Sequence, residues 1–431
     1  MNYYSLNKKA PDASFETAVR KGLAPDKGLY FPESITPLDD AFLNTIEQYS
    51  NQDIAFHAIK QFICPEIPEN DLKAIIEDTL NFDFPVVEIE EGVSTLELFH
   101  GPTMAFKDVG ARFMARCLGY FNKDNSEEVT VLVATSGDTG GAVASGFLGV
   151  KGVRVVILYP SGKVSHVQEK QLTTLGQNIT ALEVDGTFDD CQDIVKKAFL
   201  DSDLTNQMAL TSANSINVAR WMPQMFYFIF AYKQLKHKNA PIVFSVPSGN
   251  FGNVCAGMLA QKLGLPFTHF IASNNANNVV QRYFETHQYS PLPSIQTISN
   301  AMDVGNPSNF IRILELYNND FEELRQNLSA YSFSDDETKA ALFSIYDQSG
   351  YIADPHGAVG YLGCKSYQKE HPQAHTVFLE TAHPTKFLDV VEDVIPEQIA
   401  LPPQIQAVID KEKVATFVKN YSEFKSFLLE L

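Results

Sequence analysis

Apolar residues recur at three- and four-residue intervals in three stretches of the first ninety residues: DAFLNTIEQY, QDIAFHAIKQFI and ENDLKAIIEDTL. That spacing puts the apolar side chains on one helix face, and an Asp or Asn stands near each start. Residues 1–90 are therefore expected to be mostly helical. Beyond Pro85 the pattern changes. Short runs that are apolar throughout alternate with helical stretches: VTVLVAT (129–135), VRVVILY (153–159), ITALEV (179–184), PIVFSVPS (241–248), FTHFIAS (267–273) and TVFLETA (376–382). Strands apolar on both faces and separated by helices imply an α/β fold, a mainly parallel sheet covered on both sides. The aromatic stretch WMPQMFYFIFAY reads as core packed against that sheet. SDDETK (334–339) reads as a solvated helix start with Ser334 as N-cap. Two segments rich in turn formers, 160–166 and 299–309, are expected to be mobile.

The length of 431 residues allows two or three domains, and 45% hydrophobic with 20% charged residues is ordinary for a globular enzyme. Charge changes the picture more. A net charge of −19 argues against nucleic acid or an anionic membrane as a partner, and any anionic substrate needs a local positive site. The five cysteines are scattered and never form C-x-x-C, which fits a reducing compartment and gives no disulfide or metal framework. The N-terminal MNYYSLNKKAPDASF lacks a signal-peptide layout, and the longest apolar run, near MFYFIFAY, is far short of a bilayer span. The expectation is a cytoplasmic protein.

The chemistry gathers at three places. Lys107 lies in FHGPTMAFKDVGAR, flanked by Ala105 and Phe106, surroundings that favour a neutral amine suited to Schiff-base chemistry. Ser136-Gly137-Asp138-Thr139-Gly140 and Ser248-Gly249-Asn250-Phe251-Gly252-Asn253 each follow a predicted strand and precede a helical run. Backbone N–H groups at such helix starts hold anions, a carboxylate at the first turn and a phosphate at the second. Singly, each signal is weak, because most lysines are surface charges and glycine serves any turn. The second turn also lacks the Gly-Lys-Ser/Thr ending of a P-loop and the spacing of G-x-G-x-x-G. Lysine, phosphate cup and carboxylate cup together suggest pyridoxal 5′-phosphate (PLP) acting on an amino acid. His100, His356 and His383 have no metal-binding spacing and read as hydrogen-bonding residues.

The residues also match a family. KGLAPDKGLYFPE (21–33), FHGPTMAFKD, TSGDTGGA, PSGKVSHVQEKQ, NSINVARWMPQ, PSGNFGN and ETAHPTKF follow one another in the order found in threonine synthases, and the resemblance spans nearly the whole chain. Lys27 stands where that family commonly has glycine. The resemblance implies a fold-type II (tryptophan-synthase-β-like) PLP enzyme with two mainly parallel, doubly wound sheets. The expected division is a helical segment 1–90, a PLP-anchoring domain of 91–125 and 215–431, and a small inserted domain 126–214. Position by position, Lys107 would carry the cofactor, Gly249, Asn250, Phe251, Gly252 and Asn253 would wrap its phosphate, and Thr381 would face the pyridine nitrogen. Ser136, Asp138 and Thr139 would lie along the substrate carboxylate and cofactor ring. The implied reaction converts O-phospho-L-homoserine and water into L-threonine and phosphate. The substrate phosphate needs its own cations, and Lys163 and Arg112, with the Ser161 hydroxyl, suit it. The alternatives are a lyase that stops at 2-oxobutyrate and a silent scaffold. The chain is expected to act as a monomer or homodimer.

Overall fold

The computed structural model describes residues 1–123 and 128–431. By compactness the chain divides into two units. One comprises Met1, Phe31–Phe106 and Trp221–Ala400, and the other Asn2–Tyr30, Lys107–Arg220 and Leu401–Leu431. The 126–214 segment read from the sequence lies within the second unit, which draws in both ends of the chain as well. Its boundary at 125/126 lies outside the described residues.

The first unit is built on a six-stranded sheet in the order 328–332, 267–274, 242–247, 375–380, 93–97, 86–90. All neighbours are parallel except the antiparallel pair Val86–Glu90 and Val93–Glu97. The central strands Ile242–Pro247 and His375–Glu380 are buried at every residue, which is why their sequences show no apolar–polar alternation. The Met225–Leu235 helix, which begins inside WMPQMFYFIFAY, is buried all round over its first two turns, Met225 to Ala231 being wholly inaccessible, as its unbroken apolar run requires. Helices Asn51–Ile63 and Glu69–Thr79 form where the three- and four-residue spacing places them, the first capped by the Ser50 hydroxyl accepting from Asp53 N–H. Ser334 caps Asp335–Ser349 in a reciprocal box with Glu337.

The second unit holds a wholly parallel five-stranded sheet in the order 416–418, 179–184, 153–160, 129–134, 209–212. Residues 2–30 are less helical than their pattern suggests. They contribute the helix Phe15–Lys21 and a turn organised by Asp26, whose carboxylate accepts from Ser5 Oγ at 2.6 Å, Lys9 N–H at 2.9 Å and Gly28 N–H at 3.0 Å. Lys27 in that turn has φ of 69°, so the family's usual glycine there answers a left-handed backbone. The short strands Tyr3–Ser5, Tyr30–Pro32, Ala209–Ser212 and Thr416–Val418 went unread because three or four residues give no periodic signal. No helix among the described residues is long and apolar enough to cross a membrane.

Candidate functional site

In each unit the predicted turns lie at the carboxyl ends of parallel strands, where open α/β sheets take ligands. In the first unit Ser248–Asn253 follows Ile242–Pro247, and Thr381 follows the neighbouring parallel strand His375–Glu380. The strand order reverses between these two, so the turn and Thr381 flank a topological switch point. The strand Val93–Glu97, parallel to His375–Glu380, ends on the same edge. From it the chain runs to Phe106, whose N–H donates to Thr381 O at 2.8 Å, and the next residue is Lys107.

The 248–253 turn is shaped for an anion that the protein does not supply. Phe251 sits in the left-handed region at φ 61°, and Gly252 opens the helix Gly252–Lys262, whose first N–H groups have no partner within the helix. A Cβ on Gly249 would lie 2.8 Å from Met302 Cα, so only glycine lets the turn lie against residues 301–304. The Asn253 side chain is 6% exposed, and neither its Nδ2 nor its Oδ1 has a hydrogen-bond partner. Burying an amide unpaired is costly unless a ligand completes it. A phosphate monoester, rich in acceptors and doubly charged, fits that donor set.

Behind the turn, segment 299–309 is fastened, contrary to the mobility expected from its turn formers. Asp303 accepts from Thr297 Oγ1 at 2.7 Å, Thr297 N–H at 3.0 Å and Asn275 Nδ2 at 2.9 Å, and Ser299, Met302 and Asn309 are buried. Burial raises Asp303 to about 6 against the pull of those donors. Ala301 N–H donates to His356 Nε2 at 3.2 Å, and His356 Nδ1 donates to Asp354 Oδ2 at 2.6 Å. Asp354 in turn meets Glu380, which burial and then the Asp354 carboxylate push well above the ordinary carboxylate range. His356 therefore has the hydrogen-bonding role read for it. His383 is lowered to about 4 by burial and then by His100, which itself pairs with Glu97 at 2.7 Å. Among the described residues no group of three His, Cys, Asp or Glu could hold a metal ion.

In the second unit Lys107 is the first residue of the helix Lys107–Asn122 and is partly exposed. Arg112 lies five residues on, which turns its side chain some 140° around the helix from Lys107, by about 100° per residue. The Ser136–Thr139 turn follows Val129–Ala134 and opens the helix Asp138–Phe147. Thr135 Oγ1 accepts from both Gly137 N–H at 2.9 Å and Gly140 N–H at 2.8 Å. Two of the amides expected to hold a carboxylate are thus already committed, and that reading rests more on Ser136 and Thr139, both partly exposed. Asp138 is buried, accepting from Gln168 Nε2 at 3.0 Å, and Gly137, at φ 135°, leaves room for that Gln168 side chain. Ser161 and Lys163 lie in the turn after Val153–Pro160. Lys163 is exposed. Ser161 Oγ donates to Glu183 Oε1 at 2.7 Å. Burial pushes Glu183 up, yet Lys413 at 2.8 Å and Ser161 hold it below the ordinary range. Gln168, Lys413 and the two acids that surround His356, Asp354 and Glu380, were missed in the sequence, where only the N-capping Asp354 ahead of Pro355 signals a fixed geometry.

Three family models match most of the chain. "Pyridoxal-phosphate dependent enzyme" matches residues 93–381, "Threonine synthase N terminus" residues 2–80, and "Threonine synthase, C-terminal" residues 357–428. The curated threonine synthase of Escherichia coli K12 is 42% identical over 409 residues, 94% of each chain. The chain belongs to the threonine synthases. Its fold accordingly matches the crystal structure of Escherichia coli threonine synthase with a TM-score of 0.94 at 38% identity, covering all of both chains. The PLP-bound threonine synthase of Brucella melitensis gives 0.92 at 33% identity, covering 100% of this chain and 99% of that one. Membership in this family makes PLP the cofactor and favours the threonine-forming reading over the lyase and scaffold alternatives.

Proposed function

We infer that this chain makes L-threonine and phosphate from O-phospho-L-homoserine and water, with PLP carried on Lys107. The observation that supports it most is the 249–253 turn, with its orphaned Asn253 amide, at the strand end next to Thr381. When bound, the cofactor supplies an electron sink that makes carbanions at substrate Cα and Cβ accessible. Gly249, Asn250, Phe251, Gly252 and Asn253 hold its phosphate, and the Thr381 hydroxyl orients its ring. Lys107, once the substrate amine has taken its place, is the base that removes the Cα proton and then the Cβ proton. Phosphate leaves from Cγ, protons return to Cγ and Cα, and water adds at Cβ. Ser136, Asp138 and Thr139 position the substrate carboxylate end, Asp138 acting through its bond to Gln168.

The overall charge of −19 repels a phosphate ester, so Lys163 and Arg112 provide a local positive site for it, with the Ser161 hydroxyl beside them. Residues 91–125 with 215–431 anchor the cofactor, and 126–214 carries the substrate-binding turns. The enzyme works in the cytoplasm as a monomer or homodimer. Incubation of the purified protein with O-phosphohomoserine, assaying phosphate and threonine together, tests the reading. Equal release of both is expected, and phosphate accompanied by 2-oxobutyrate in place of threonine would overturn it.

A further inference from the structure

Behind the 249–253 turn lies a charge that the reaction above does not use. Arg312 is wholly buried, its guanidinium 4.5 Å over the Trp221 ring. Its Nη1 donates to Asn309 Oδ1 at 2.7 Å. A guanidinium carries only donors, so this bond decides which way round the Asn309 amide sits, oxygen toward Arg312 and nitrogen away. Asn309 Nδ2 then donates to Asn250 O at 3.1 Å, and Asn309 N–H reaches the same oxygen at 3.1 Å. Ser308 N–H donates to Asn250 Oδ1 at 3.1 Å. Both oxygens of Asn250 are thereby turned onto the 308–309 backbone, and an oxygen left facing the turn would repel an anion. Burial lowers Arg312 to about 10, which leaves it charged at neutral pH.

A cation kept out of water is expensive, and this one stands two hydrogen bonds from a turn whose own residues, Ser248 to Asn253, include no cation. We propose that Arg312 is the positioning and charge-balancing residue of the phosphate cup. It orients Asn309 against Asn250, and its positive field favours a phosphate monoester dianion in the turn. The proposal rests on the reading that 249–253 takes the cofactor phosphate.

The test uses the full-length protein stripped of cofactor and titrated with PLP and with pyridoxal, the same aldehyde without its phosphate. Arg312→Met should weaken PLP binding about tenfold or more, the range of a charge-assisted interaction, while pyridoxal binding stays within about twofold. Arg312→Lys, which keeps the charge, should recover part of the loss. Asn309→Asp keeps an acceptor for Arg312 but cancels its charge and removes the amide donor, so it should reproduce the phosphate-selective loss. It also carries the test should Arg312→Met fail to fold. Equal losses for PLP and pyridoxal, or none for either, overturn the proposal. Asn253→Ala separates it from the reading beneath. If Asn253→Ala leaves PLP affinity intact, the cup itself is misplaced. If Asn253→Ala loses PLP while the Arg312 and Asn309 variants do not, only the role of Arg312 falls.

Discussion

The two Gly-rich turns hold equivalent places, each after a buried parallel strand and before a helix, yet they settle their polar groups in opposite ways. Around Ser136–Thr139 the protein answers itself: Thr135 takes two of the amides and Gln168 takes Asp138. Around Ser248–Asn253 the Asn253 amide has no protein partner, and an arginine is held two hydrogen bonds away. A turn that completes its own bonds keeps its shape without a ligand, whereas one with unmet donors gains stability when a ligand arrives. The first suits a substrate that comes and goes, the second a resident cofactor.

The most severe way to break this contrast is Lys107→Ala. It should abolish turnover and the borohydride-trapped lysine adduct, while PLP still binds through the 249–253 turn. Peptide mapping after reduction checks it, and label on another lysine would remove Lys107 from its role. Next in size, Asn253→Ala should weaken PLP binding by roughly 1.5–3 kcal/mol, the value of a hydrogen bond to a charged group. Asp138→Asn should leave PLP affinity unchanged, because Gln168 can still donate to the amide oxygen. Equal responses in a PLP titration of the two variants would erase the distinction.

The acids beside the turns sharpen it further. Asp303, behind the 248–253 turn, is raised from 3.8 to about 6 by burial, so the folded state holds its proton more tightly than the unfolded chain does. Its contribution to stability is complete below pH 3.8 and is lost as pH rises through about 6. Asp303→Asn should flatten that part of the profile, by on the order of 2 kcal/mol between pH 4 and 7, in denaturant melts. An unchanged slope would show that the acid titrates normally. The smallest effect concerns the exposed Lys163. Lys163→Ala should raise KM for O-phosphohomoserine about tenfold, roughly 1.4 kcal/mol, without changing PLP affinity. Homoserine binding, lacking the phosphate, should be indifferent to the change.

Much of the fold is legible in the sequence. The six runs are legible as strands because a strand covered on both faces is apolar at most of its positions, and the core helix after Trp221 follows for the same reason. GNFGN and SGDTG were legible because a left-handed residue or a close backbone approach leaves glycine in the sequence. What stayed hidden depends on distant pairs. Arg312 looks like any helix arginine until Asn309, Asn250 and Trp221 gather around it, and Glu380 looks like a strand end until Asp354 is packed against it. The 299–309 segment was misread because turn formers report local geometry, whereas its fastening comes from Asn275 and His356.

The second unit is assembled from residues near both ends of the chain, and its outermost strand, Thr416–Val418, seals the open side of Ile179–Val184. That strand lies some two hundred residues along the chain from Ala209–Ser212, the strand before it in the same sheet. Until it docks, the Ile179–Val184 strand has one row of backbone groups unpaired, an open template for a strand from another chain. A chain cut before residue 416 therefore keeps that edge open and is poised to aggregate.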